Sequence, residues 1–197
     1  MVLNEPQILT SASGRERKPK LFVGLSIGPD TRERISEIAH RLEEQGLDAR
    51  FEDPRKYHLT LAFLGWVDSS QVEPIRAAMQ GAAVRTRPFN ISLDTVAAFP
   101  DNRRARVVFL GARTAPEEFL TLCGLLRKTY SAMGFPFKDP AVTHVTLARI
   151  NTRKSPVPQI VDFPPIVVPV GALTLFDSMP DKHTTRYEKV FSSPLGM

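Results

Sequence analysis

The chain of 197 residues has one cysteine, one tryptophan and four histidines. A lone Cys123 excludes an intramolecular disulfide and any cysteine-based zinc cluster. It sits in an apolar helical pattern and is expected in the core. No apolar run approaches the roughly 20 residues that span a bilayer, so no membrane partner is expected. Residues 1–19 contain Ser, Gly, Arg and Lys without an apolar h-region. They read as a flexible N-terminal arm rather than a secretory leader, and the expected location is cytoplasmic. Neither G-x-x-x-x-G-K-[ST] nor G-x-G-x-x-G occurs, which leaves nucleotide binding through those phosphate loops unsupported.

What is present is ordinary globular material, with 42% hydrophobic and 24% charged residues. Those values argue against extensive disorder, and the length suits one domain or two lobes on a shared core. Residues 20–197 are read as that single domain. A formal charge of +5 and a pI near 9.6 are compatible with a polyanionic ligand.

One short pattern occurs twice. The sequence reads KYHLTLAFLG around His58 and VTHVTLARI around His144. In a strand, residues i and i+2 share a face. His58 and Thr60 then stand side by side, with Leu59, Leu61 and Phe63 on the opposite, core-directed face. His144 and Thr146 repeat the arrangement over Val145 and Leu147. A buried imidazole and hydroxyl each need hydrogen-bond partners, so repeating both in two strands serves packing poorly and chemistry well.

Around these strands the pattern alternates. A strand over 21–27 stops at Gly28 and Pro29, and a helix follows to about Gly46 with Ile35, Ile38 and Leu42 at helical spacing. Asp53 and Pro54 turn the chain into the first motif strand, which Gly65 closes. Asp68 and Ser69 open a second helix. Residues 89–99 read as one strand, paired in a hairpin with 106–112. A third helix spans about 116–133, with Gly134 as its stop. Pro164, Pro165 and Pro169 restrict the next stretch to edge strand or loop. Two closing strands, 172–177 and 187–191, flank a turn holding His183, which is expected at the surface along with His40.

Two facing imidazoles can divide acid and base work, one neutral and accepting a proton from water, the other protonated and donating to a leaving oxygen. Thr60 and Thr146 can donate to non-bridging phosphate oxygens from two sides. The chemistry this suits is in-line opening of a strained phosphodiester. It needs no metal and no cofactor, and the sequence offers no His-x-x-Glu pair, motif-proximal carboxylate cluster or cysteine ligand set.

The paired HLTLAFLG and HVTLAR motifs, with an opening LF strand, an RVVFLG strand between them and a closing LF-x-S…RY hairpin, resemble the 2H phosphoesterase superfamily. Within it the chain is most similar to bacterial RNA 2′,3′-cyclic phosphodiesterases, also called 2′-5′ RNA ligase family proteins. The resemblance covers about 21–191. It implies an α+β bilobal fold, with two pseudo-symmetric lobes, antiparallel sheets flanking a central cleft and helices outside. It also implies metal-independent hydrolysis of RNA 2′,3′-cyclic phosphate termini to 2′-phosphomonoesters, with reversible 2′-5′ ligation as the reverse chemistry. His58 and His144 carry over as the acid–base pair, their roles unassigned. Thr60 and Thr146 carry over as phosphate ligands, and Arg149 as a substrate-binding residue. Strict alternation from His144 nevertheless puts Arg149 on the opposite face. The partners implied are RNA 3′ ends with 2′,3′-cyclic phosphate or small nucleotides, bound by a monomer.

Two positions depart from the family pattern. Thr143 stands where relatives usually have Pro, and Val23 where many have Phe. No base-stacking platform is therefore expected, and Phe22, Phe63 and Phe109 are assigned to the core. Two alternatives stay open. One is a non-catalytic nucleotide- or RNA-binding module on the same fold. The other is a phosphodiesterase acting on another cyclic phosphate or on 2′-5′ linkages.

Overall fold

The structure, a computed structural model, describes residues 17–151, 157–158, 162–181 and 184–196. Its elements are β1 (Lys20–Ser26), α1 (Pro29–Glu44), β2 (Ala49–Phe51), β3 (His58–Trp66), α2 (Ser69–Val84), β4 (Phe89–Leu93) and β5 (Thr95–Phe99). They continue as β6 (Val107–Gly111), α3 (Glu117–Ala132), β7 (His144–Ile150), β8 (Ile166–Val170), β9 (Ala172–Asp181) and β10 (Thr184–Pro194). Two four-stranded antiparallel sheets, ordered β10-β9-β1-β3 and β2-β7-β6-β5, each contain one His-x-Thr strand. The fold is the expected α+β arrangement, and β3 and β7 meet where the sheets adjoin.

Helix positions follow their apolar spacing. Ile35, Ile38, Ala39 and Leu42 form the buried stripe of α1. Pro29, with φ already suited to a helix, opens it. At its end Gly46 takes φ +81°, which a side chain would resist. Gly46 N–H then donates to Glu43 O at 2.9 Å and Leu47 N–H to Leu42 O at 3.1 Å, satisfying the last carbonyls. Gly134, at φ +94°, closes α3 in the same way through Ser131 and Tyr130. Cys123 is buried in α3, as expected, and burial pushes its thiol up to about 12.

Four expectations need correction. The single strand over 89–99 is two strands in different sheets, since β4 pairs with β8 while β5 pairs with β6. Asp94 makes the switch, its N–H donating to Gly111 O at 2.9 Å and its carboxylate accepting from Arg113 N–H at 2.9 Å. The short strand β2 was not expected, and it adds an edge beside β7. The closing strands are longer than their apolar cores, reaching Asp181 and starting again at Thr184; His183 lies outside the described residues. Finally, the last residues assigned to the arm are tied down. Arg17 pairs with the fully buried Asp177, and Val67 N–H donates to Pro19 O at 2.9 Å. Residues 1–16 lie outside the described residues. The proline-rich stretch is an edge strand as expected, with Pro169 opposite Asn90 in β8.

The feature that shapes the cleft is a slip of register that both motif strands make. In the β1–β3 pair, Val23 faces Ala62 and Gly24 faces Thr60, leaving Leu61 unpaired. In the β6–β7 pair, Val108 faces Ala148 and Phe109 faces Thr146, leaving Leu147 unpaired. Each slip is a β-bulge that puts two consecutive residues, Leu61–Ala62 and Leu147–Ala148, into the core. Alternation restarts one residue later, so the next side chain points back to the His-x-Thr face.

The neighbouring strands repeat as well: Phe22-Val23-Gly24 on β1 and Phe109-Leu110-Gly111 on β6. A Cβ on Gly24 would stand 2.7 Å from Leu59 O, and one on Gly111 would stand 2.9 Å from Thr143 O. Backbone atoms on both sides leave no room for a methyl group. Gly111→Ala is expected to destabilise the protein by about 1–3 kcal/mol in denaturant unfolding, because overpacking displaces the backbone before His144. Gly124→Ala, in α3 with nothing within 4 Å of the added carbon, should stabilise by about 0.5–1 kcal/mol. An unchanged midpoint for Gly111→Ala would contradict this close approach.

Candidate active site

The His-x-Thr faces enclose a cleft of about 230 Å³. Strand β3 contributes His58, Thr60 and Phe63, and β7 contributes His144, Thr146 and Arg149. Every residue expected at the site is therefore brought to one cavity. Glu52 and Lys56 approach from the turn before β3, Phe22 from β1, and Ser178 and Tyr187 from the closing strands.

Both imidazoles are held alike. His58 Nδ1 lies 2.7 Å from Lys56 O, and His144 Nδ1 lies 2.9 Å from Val142 O, each two residues upstream. A carbonyl only accepts, so each Nδ1 carries the proton and the neutral ring keeps its lone pair on Nε2. Aromatic rings fix the planes. Phe22 lies 4.8 Å from the His58 ring and Tyr187 meets it edge-on at 5.0 Å, while Phe99 and Phe109 meet His144 edge-on at 5.2 and 5.5 Å.

Electrostatics favour neutral imidazoles. Burial lowers the His58 pKa below 6.5; its bond to Lys56 O opposes the shift, repulsion from His144 adds to it, and Glu52 pulls weakly upward. Burial likewise lowers the His144 pKa below 6.5, although its bond to Val142 O opposes the shift. Burial raises the Tyr187 pKa, so its hydroxyl remains a donor at neutral pH. Arg149 Nε donates to Glu52 Oε1 at 2.9 Å across the β2–β7 edge. The ion pair aims the guanidinium along the cleft wall.

Two sequence expectations are revised by the bulges. Arg149 faces the cleft because Leu147 is unpaired and the alternation is reset. Phe63, assigned to the core, is 51% exposed and lines the cleft for the same reason at Leu61. The pseudo-symmetric frame thus places Phe63 and Arg149 in matching positions, each three residues after its Thr. Phe22 and Phe109 are buried as expected, although Phe22 also forms part of the cleft wall. His40 is on the surface beside Glu43 and Glu44.

Glu52, Lys56, Ser178 and Tyr187 were not foreseen from the sequence. For the first two a signal existed. Asp53 accepts from Arg55 N–H at 2.9 Å and caps a tight turn, which must hold Lys56 close to His58. For Ser178 and Tyr187, cross-strand partners in β9 and β10, no local signal marks which face they occupy. Among the described residues, no three His, Cys, Asp or Glu side chains cluster closely enough to hold a metal ion.

Comparison with known proteins agrees with this geometry. The family model described as LigT like Phosphoesterase matches residues 25–109. A Bacillus subtilis protein named RNA 2′,3′-cyclic phosphodiesterase is 31% identical over 150 residues, covering 74% of this chain and 79% of the relative. The chain belongs to the LigT-like phosphoesterase family. A Thermotoga maritima protein of the same name is 26% identical over 162 residues, covering 81% of this chain and 86% of its own. Among solved structures, E. coli LigT complexed with 3′-AMP superimposes with a TM-score of 0.76 at 26% identity, covering 92% of this chain and 100% of the other. A Thermus thermophilus protein gives a TM-score of 0.79 at 25% identity, covering 89% and 97%. The phosphoesterase resembles these relatives along most of its length. Among its described residues, no helix is long and apolar enough to cross a membrane.

Nitrogen-detected NMR of the imidazoles tests the anchoring. At pH 7.5 both His58 and His144 should show the Nδ1–H tautomer, and both should titrate below 6.5. An Nε2–H tautomer at either position would contradict the carbonyl contacts.

Proposed function

We propose that this phosphoesterase hydrolyses RNA 2′,3′-cyclic phosphate termini to 2′-phosphomonoesters by a two-histidine mechanism that requires no metal. The observation that carries this reading is the matched pair of imidazoles, each anchored through Nδ1 and free at Nε2, on one cleft with two threonine hydroxyls. The names of the B. subtilis and T. maritima relatives, and the 3′-AMP bound in E. coli LigT, support ribonucleotide phosphate as the substrate class.

One imidazole enters the reaction neutral and the other protonated. The neutral Nε2 removes a proton from water as its oxygen attacks phosphorus. The P–O3′ bond breaks, and the protonated Nε2 delivers its proton to O3′. The products are a 3′-hydroxyl and a 2′-phosphomonoester, and the pair has exchanged its single proton. Thr60 and Thr146 donate to the non-bridging oxygens, where charge accumulates in the transition state. The bond to Glu52 engages Arg149 through Nε and leaves its Nη donors for the phosphate. The same ring-opening with a 5′-hydroxyl attacking in place of water, its proton taken by the neutral imidazole, gives a 2′-5′ linkage.

Incubation with a short RNA ending in 2′,3′-cyclic phosphate, in EDTA, tests the reading. Wild-type protein should form the 2′-phosphate, and His58→Ala or His144→Ala should each lower kcat roughly 10²–10⁴-fold. Production of a 3′-phosphate, or full inhibition by the chelator, would contradict it. Arg149→Ala should act chiefly on KM, raising it roughly tenfold, the loss of one charge-assisted contact of about 1.4 kcal/mol.

The pH profile has a defined sign. Activity needs one proton on the histidine pair, and both imidazoles hold protons less tightly than an ordinary histidine. The kcat/KM profile should therefore be bell-shaped with its maximum below pH 6.5, falling as rising pH strips the last proton. An optimum above pH 8 would contradict a His–His pair.

A further inference from the structure

Strand β3 runs out of the cleft with two aromatic side chains in solvent. Phe63 is 51% exposed and Trp66 is 60% exposed, and they are the large aromatic side chains left open among the described residues. A second bulge aligns them. Leu21 faces Gly65 and Phe22 faces Phe63, so Leu64 is unpaired and Trp66 returns to the side occupied by His58, Thr60 and Phe63. Lys20, directly opposite Trp66, places its ammonium 5.6 Å from the Phe63 ring centre and 5.7 Å from that of Trp66. Its main chain is fixed, because Lys20 N–H donates to the buried Asp177 carboxylate at 3.0 Å. Phe63 lines the cleft, and the indole extends the same face beyond the cleft wall.

Two flat apolar faces separated by a cation are complementary to stacked bases joined by a phosphodiester. We infer that Phe63, Lys20 and Trp66 form a stacking platform that takes a second nucleotide. The terminal base lies against Phe63, the penultimate base stacks on Trp66, and the Lys20 ammonium faces the phosphate between them. The preferred substrate is then a single-stranded oligoribonucleotide rather than a mononucleotide. This inference rests on the proposed phosphodiesterase reading and specifies its substrate.

Trp66 is the only tryptophan in the chain, so intrinsic indole fluorescence reports on this platform alone. His58→Ala protein, whose slowed turnover keeps the ligand largely intact, is titrated with adenosine 2′,3′-cyclic phosphate and with an ApA dinucleotide bearing the same terminus. The dinucleotide should quench the indole emission, and the mononucleotide should leave it nearly unchanged. In steady-state assays, wild-type kcat/KM should favour the dinucleotide roughly tenfold. Trp66→Ala should bring that ratio close to one, and Trp66→Phe should restore most of it. Equal quenching by both ligands, no quenching, or a ratio unaffected by Trp66→Ala would overturn the platform. The two readings fail separately. Quenching by the dinucleotide without turnover of either substrate would sink hydrolysis and keep the platform. Turnover of both at equal kcat/KM without quenching would do the reverse.

Discussion

A matching unpaired residue directly after each His-x-Thr motif, Leu61 in β3 and Leu147 in β7, decides which side chains the cleft receives. Strand geometry sends alternate residues to opposite faces, so an unbroken β7 would turn Arg149 away from His144 and Thr146. The bulge inserts a second core residue and resets the phase. The gain is double, since Leu61–Ala62 and Leu147–Ala148 deepen the core while the cleft face acquires a third functional side chain. The Phe-x-Gly strands alongside make the slips compatible with close packing, their glycines clearing space for opposing carbonyls.

The symmetric frame carries unlike occupants, and this is where function separates from scaffold. Both imidazoles use the same upstream carbonyl contact, so each is equally able to give or take a proton at Nε2. What differs is the next position outward. On β7 it is a guanidinium fixed by Glu52, suited to charge; on β3 it is an exposed phenyl ring, suited to a base. A phosphate held centrally would thus meet a charged wall on one side and an apolar wall on the other. Burial lowers the proton affinity of both histidines and repulsion from His144 opposes a second proton at His58, so the one-proton state that acid–base division requires belongs below pH 6.5.

Much of this was legible in the sequence. The repeated His-x-Thr pattern located the cleft, and helix stops at Gly46 and Gly134 were marked by residues that accept positive φ. The bulges were not legible, because Leu-Ala is as acceptable in a regular strand as in a slipped one. Phe63 was consequently assigned to the wrong face, and Arg149 could be brought to the cleft only by analogy. Asp94 hid a change of sheet inside an apparently continuous strand, since its role depends on Gly111 and Arg113, distant in sequence. Tyr187 and Ser178 enter the cleft through the pairing of the two closing strands, a register that local pattern does not encode. The Phe-x-Gly repeat could have been found beforehand, as it precedes each motif at nearly equal distance.

The central claim is that His58 and His144 work as one unit, passing a single proton between complementary roles. Groups that act as a unit give non-additive losses. The decisive measurement is kcat on a 2′,3′-cyclic phosphate-terminated RNA for His58→Ala, His144→Ala and the double variant. The account predicts that the double variant is about as slow as either single one. A double variant whose loss equals the product of the two single losses would show the histidines acting independently, and would contradict the shared-proton mechanism.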